Sequence, residues 1–233
     1  MAYIITLIIF IALYVTAIYL MKFMHNPRLT TAILVALVFI PYVMLSHTVY
    51  FDVGFYDWNF QNTLPTANVS PFMFTAAPLA LFLPKKAREY FLLLISLLSV
   101  GMLAASTLGC LYNASINYKF HIHFTYDFLS HFAISLLGIY AVRSNQVTLN
   151  PKNVLISASI ILIAATTMLV LNVIFDTAFF GLSLNGKHNI YNNVPVDNSY
   201  LSALIYYLGL VFVLLLGYAY SLFFSKKSIA VTK

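Results

Sequence analysis

The sequence predicts an all-α membrane protein: a polytopic bundle of seven transmembrane helices, N-terminus outside and C-terminus cytoplasmic. Three observations predict it. Hydrophobic residues make up 62% of the 233 and charged residues only 8%, where a soluble domain carries about 25% charged. Mean hydropathy is +0.90. Apolar windows of about 20 residues, the length that crosses a bilayer, recur seven times along the chain. The basic residues fall in alternate connecting segments, as a fixed membrane orientation requires.

The windows read in order as one transmembrane domain over residues 1–233, with spans 2–22, 29–48, 65–84, 89–110, 121–142, 153–176 and 201–224. The first begins MAYIITLIIF. It lacks a basic start, and its apolar run outlasts the about 7–15 residues of a signal-peptide core, so it reads as a retained helix. The third carries Pro65, Pro71, Pro78 and Pro84. Each proline removes a backbone donor and favours a kink or break, which neighbouring helices tolerate in a membrane. The fifth, HIHFTYDFLSHFAISLLGIYAV, is apolar enough to span but bears ionisable groups in its first half.

Charge sets the expected orientation. Lys22 and Arg28 follow span 1; Lys85, Lys86 and Arg88 follow span 3; Arg143 and Lys152 follow span 5; Lys226, Lys227 and Lys233 form the tail. Of 12 Lys and Arg, only Lys119 and Lys187 fall on the opposite side. The positive-inside rule makes the rich side cytoplasmic, and dropping one span would scramble the pattern. His47, His121, His123, His131 and His188 then lie towards the outside, with Asp52, Asp57, Asp127, Asp176 and Asp197. Any chemistry is expected to face outward. Two outer segments, about 49–64 and 182–200, are long enough to fold over the helices. Their aromatics also suit an interfacial belt.

The formal charge of +6 is a matter of topology, so no nucleic-acid partner is expected. The expected partners are membrane lipids, with a membrane-protein partner left open, and the expected location is a cell membrane, a bacterial plasma membrane. The single cysteine, Cys110, excludes an intrachain disulfide and a cysteine-based metal cluster. No nucleotide-binding, GxSxG or HExxH pattern occurs, and no cofactor is expected.

His123, Asp127 and His131 repeat every four residues along span 5, a spacing that stacks side chains on one helix face. Ionisable groups are costly in hydrocarbon, so this face is expected to meet other helices or a wet cavity. It suits general acid–base chemistry, in which a carboxylate orients a histidine. A metal is a second reading. His123 and His131 cannot share one, because eight residues of straight helix separate them by about 12 Å; Asp127 with either histidine could, given ligands from elsewhere, for example His123, Asp127 and His188 with others. A third reading is a polar seam that joins helices. Ser130 adjoins the face. Span 6 adds Asn172 and Asp176, again four apart. Thr66, Asn68 and Ser70 offer polar groups in the proline-rich span 3, where a hydroxyl needs a neighbouring base to become a nucleophile.

LPTANVSPFMF in span 3, DFLSHFAISLLGIY in span 5 and NVIFDTAFFGLSLNGKHNIY after span 6 together resemble the YwaF-like bacterial integral membrane proteins over roughly residues 30–224. That family is similar to eukaryotic transmembrane acyltransferases and to androgen-induced membrane hydrolases. The resemblance implies a bundle of six or seven helices and acyl transfer or ester hydrolysis on lipids. It implies His131 as the catalytic histidine. The relatives pair that histidine with a Cys or Thr nucleophile. Here Thr66, Ala67, Asn68 and Val69 stand where the bacterial family often has a histidine and a cysteine, which leaves Thr66 or Ser70 for the role and Asp127 to orient His131. The alternatives are a transporter or channel using the same stripe, and a non-catalytic membrane subunit. A conduction path needs polar groups in the cytoplasmic halves of the helices, which are nearly all apolar.

Overall fold

A computed structural model describes residues 2–51, 69–116, 122–175, 177, 180 and 199–225. Its helices are α1 (Ala2–Leu20, continued by a 3-10 turn over Met21–Phe23), α2 (Pro27–Phe51), α3 (Val69–Ala76), α4 (Leu79–Phe82), α5 (Lys85–Ile116), α6 (Ile122–Arg143), α7 (Pro151–Phe175) and α8 (Ser199–Ser225). No strand occurs among the described residues. The stretches 27–44, 85–107, 151–175 and 200–225 are long and apolar enough to cross a membrane, and 11–23, 69–82 and 128–143 are shorter apolar helical stretches. With α3 and α4 counted as one broken pass, seven passes result.

Local chemistry explains the ends. Asn26 and Asn150 each precede a proline and open a helix. Their side-chain oxygens accept the backbone N–H groups of Leu29 at 3.1 Å and Asn153 at 2.8 Å. Proline suits the next position because its missing donor has no helical partner there. The third span breaks where Pro78 removes the donor for the Phe74 carbonyl. Tight bonds from Ala80 to the Ala77 carbonyl and from Leu81 to the Pro78 carbonyl carry the chain into α4. Pro41, by contrast, lies inside a continuous α2. The fourth span is longer than the expected 89–110. The charged residues 85–89 are helical too, and Lys86 and Glu89 pair at 3.1 Å one turn apart. At about 1.5 Å per residue the 32 residues of α5 reach about 48 Å, so both ends project beyond an about 30 Å hydrocarbon core.

α6 ends in a left-handed residue, Asn145 (φ 55°). The Gln146 N–H bonds to the Ala141 carbonyl at 2.9 Å and the Asn145 N–H to the Val142 carbonyl at 3.1 Å. This pair of bonds is the Schellman cap, which satisfies carbonyls the helix leaves open.

α5 and α6 form the core. Residues 91–99 of α5 and 133–142 of α6 are buried on every side, which marks helices enclosed by others. They run antiparallel in close contact. The Ser96 hydroxyl reaches the Gly138 carbonyl at 2.8 Å, and a Cβ on Gly138 would stand 2.9 Å from the Ser96 Cα. α8 approaches α5 as closely, because a Cβ on Gly217 would overlap the Leu97 carbonyl. α2 lies along α6, and α7 turns Asn153, Ser157, Ile161, Ala165 and Asn172 inward. The outer faces of α1, α7 and α8 expose large apolar side chains such as Ile8, Leu155, Ile163, Leu208 and Leu215. A continuous apolar exterior of this kind suits lipid.

Side-chain contacts also fix the helix directions. Tyr14 meets Ser135 and Arg143 reaches the Ile18 carbonyl, so α1 and α6 run the same way. Ser130 meets Val38, and Gln146 meets Thr31, so α2 opposes α6. One end of the bundle gathers Lys22, Arg28, Lys85, Lys86, Arg88, Arg143 and Lys152. There Asn153 donates to Glu89 at 3.1 Å and ties α7 to α5.

Candidate functional site

His131 lies in the middle of α6 and is only 7% exposed. Its ring meets Phe74 of α3 edge-on, with centroids 4.7 Å apart and planes at 90°. The broken third span thus delivers an aromatic face to the histidine. The preceding Ser130 is fully buried and donates to the Val38 carbonyl of α2 at 2.9 Å. Val38 lies in the turn that Pro41 disturbs, where the neighbouring Leu37 carbonyl loses its helical donor. Ser130 therefore ties α6 to α2 at the proline. One turn further along α6, Ser135 bonds to the Tyr14 hydroxyl at 2.6 Å, and Tyr14 stands 3.3 Å from the Tyr220 hydroxyl. These bonds join α1, α6 and α8.

Ser70, on the first turn of α3, is half-buried and directs its hydroxyl to the Met102 sulfur of α5 at 3.5 Å, a weak acceptor. Asn172 is buried at the end of α7. Its carboxamide oxygen accepts the Thr177 hydroxyl at 2.9 Å, and its backbone carbonyl accepts the Thr177 N–H at 3.2 Å. Beyond it Phe180 (φ 57°) packs on Phe72 of α3 with ring centroids 5.8 Å apart. A bulky residue in the left-handed region is strained, so the surroundings hold it there. The side chains of His123 and Asp127 lie outside the described residues, as do Thr66, Asn68, Asp176 and His188. Among the described residues no three His, Cys, Asp or Glu converge as a metal site.

The helix registers bring several of these groups to one depth. The Ser96–Gly138 contact, carried seven residues along each antiparallel helix, sets His131 level with Leu103 of α5. Ser70 is level with Met102. The Asn153–Glu89 bond, carried along the parallel α5 and α7, sets Asn172 level with Leu108. The contact of Gly101 with Val213 sets Tyr206 of α8 at the same height. Ser70, Ser106, Ser130, His131, Asn172 and Tyr206 therefore occupy a layer about 9 Å thick, roughly 20 Å along the bundle from Glu89.

Two members of this layer were not singled out by sequence reasoning. The buried hydroxyls of Ser106 and Tyr206 have no hydrogen-bond partner among the described residues. Buried polar groups are nearly always satisfied, so an orphan points to water or a ligand. Their local sequences, AAST and IYYLG, have no four-residue polar repeat to mark them. Thr166 and Thr167 of span 6 lie near the same depth but face outward: both are exposed and bond back to the Leu162 and Ile163 carbonyls at 2.9 Å, and Thr166 also accepts the Tyr207 hydroxyl at 3.1 Å.

Comparison with protein-family models, with curated proteins and with solved structures returns no match.

Proposed function

We propose that this chain is a membrane-embedded enzyme that transfers or hydrolyses acyl groups of lipids at the outer leaflet, in the manner of the YwaF-like proteins and their acyltransferase relatives. The observation that carries the proposal is the polar layer. At about one depth the bundle buries His131 and two hydroxyls that lack partners among the described residues, in the half remote from the basic end. An ester linkage just below the head groups would reach that depth from the outer side.

In this reading His131 is the general base and Asp127, one turn outward, orients it. Ser70 is the better-supported nucleophile because it shares the depth of His131; Thr66 is the alternative. His123, Asn68, Asn172, Asp176 and His188 would line the outer approach. Ser130 serves architecture through its bond to Val38. The basic end faces the cytoplasm, which puts the N-terminus outside and the C-terminus inside a bacterial plasma membrane. A transporter or channel is less well supported. Phe91–Ile95 of α5 are apolar and buried, and Gly138 of α6 packs directly against Ser96, so close contact shuts the α5–α6 seam, whereas a through-path needs polar lining.

The test is lipid turnover by the purified chain in nanodiscs, with acyl-labelled phospholipid and mass spectrometry of lysolipid, fatty acid and protein adducts. Wild type is expected to release labelled acyl groups. His131→Ala should slow release about 10²–10⁴-fold, the usual contribution of a general base, with the unfolding midpoint held. Ser70→Ala should abolish any acyl-protein adduct. No turnover by wild type, or activity lost only in step with folded protein, would overturn the proposal.

A further inference from the structure

A second site lies at the opposite end of the bundle. The ends of four passes enclose a cleft of about 840 Å³ lined by Asn26, Arg28, Thr31, Leu81, Arg88 and Gln146, among others. That volume falls within the about 300–1,000 Å³ of small-molecule sites.

The charge in the cleft is uncompensated. The one ion pair among the described residues joins Lys86 to Glu89, so neither Arg28 nor Arg88 meets a carboxylate there. Glu89, the acid nearest Arg88 in sequence, is already engaged by Lys86 at 3.1 Å and Asn153 at 3.1 Å. Two guanidinium groups facing one cavity repel each other, and an anion between them relieves the repulsion. Arginine presents parallel donors that match the oxygens of a phosphate.

The neutral lining is held in place. The Gln146 amide donates to Ser144 at 2.8 Å and to Thr31 at 3.3 Å, while the α6 cap fixes its backbone. On the other wall the break at Pro78 turns α4 so that Leu81 lines the cleft and Phe82 is 80% exposed beside it. A polar basin with an apolar rim suits a ligand whose phosphate sits inside and whose remainder lies towards hydrocarbon.

We infer that this cleft binds a phosphate ester through Arg28 and Arg88, with the Asn26 amide as a neutral donor and Gln146 bracing the wall through Ser144 and Thr31. The same chemistry is offered by the head group of an anionic phospholipid and by a soluble phosphate ester.

Native mass spectrometry of the full chain in a mild detergent tests this, with phosphatidylglycerol, phosphatidylcholine and glycerol 3-phosphate titrated separately. Wild type should retain phosphatidylglycerol in preference to phosphatidylcholine. The double variant Arg28→Gln/Arg88→Gln should weaken retention about tenfold or more, as expected when charge-assisted hydrogen bonds are lost. Arg28→Lys/Arg88→Lys keeps the charge, loses the paired donors and should fall between. Lys152→Gln, an exposed cation at the same end, should bind as wild type does. Folded protein is quantified by size-exclusion chromatography for every variant, and binding is expressed per folded chain. Glycerol 3-phosphate that displaces the lipid at comparable concentration would identify a soluble ester as the ligand; failure to displace it would identify the lipid. Equal binding by wild type and the Gln double variant would overturn the inference, and so would an equal loss in Lys152→Gln.

Discussion

A buried serine beside a histidine has two readings that differ in chemistry but not in spelling. Ser130 and His131 look like part of a catalytic pair in the sequence, yet the Ser130 hydroxyl is spent on the Val38 carbonyl at 2.9 Å. Ser130→Ala is therefore expected to lower stability by about 0.6–1.7 kcal/mol, the range for hydrogen bonds between membrane helices. Lipid turnover per folded chain should be unchanged. Unfolding in mixed micelles beside the activity assay checks both halves. That His131 would be sheltered from lipid was legible, because a charge-bearing stripe is costly in hydrocarbon. Its neighbour Phe74 was not legible, because a ring contact between helices 57 residues apart in the chain leaves no local pattern. The orphan hydroxyls of Ser106 and Tyr206 escaped for the same reason: one sits among small residues and the other in an aromatic pair, and only the packing shows that both are buried.

Among the elements, positions were easier to read than neighbours. Among the described residues each of the seven expected spans contains helix, because length and hydropathy are local properties. The prolines of the third span announced its break. The fourth span was drawn too short, because charges near its start were taken to end the helix when they continue it beyond the hydrocarbon. That α5 and α6 would be central was not evident, since every span is apolar and the deciding quantity is how closely backbones approach. Glycines record that approach once the contacts are known. A side chain at Gly217 would collide with the Leu97 carbonyl, whereas one at Gly209, two turns earlier on α8, would meet nothing within 4 Å. Gly217→Ala is expected to cost about 1–3 kcal/mol by overpacking. Gly209→Ala should be neutral or stabilise by up to about 1 kcal/mol through helix propensity. The two unfolding midpoints, measured side by side, give the contrast.

For the whole molecule, the separation of polar groups is the organising fact. Basic residues and the arginine cleft lie at one end, apolar α5 and α6 fill the section next to it, and the polar layer follows. Orientation can be tested on a background with Cys110 replaced. A thiol from His25→Cys should react with a membrane-impermeant maleimide only after the cells are opened. One from Asn193→Cys should react in intact cells. The reverse labelling would invert the molecule and carry the proposed active site to the inner leaflet.

The bond between Tyr14 and Tyr220 has a consequence in time. The two residues are 206 positions apart, and Tyr14 and Ser135 are 121 apart. At a synthesis rate of about 5–20 residues per second, roughly 10–40 s pass between translation of the two tyrosines. Ser135 emerges about 6–24 s after Tyr14, so the α1–α6 bond can form well before Tyr220 exists. The ribosome can deliver the helices one by one, but it cannot deliver the bundle. The three-helix junction closes only after the last span, and a nascent chain halted before α8 should hold Tyr14 through Ser135 alone.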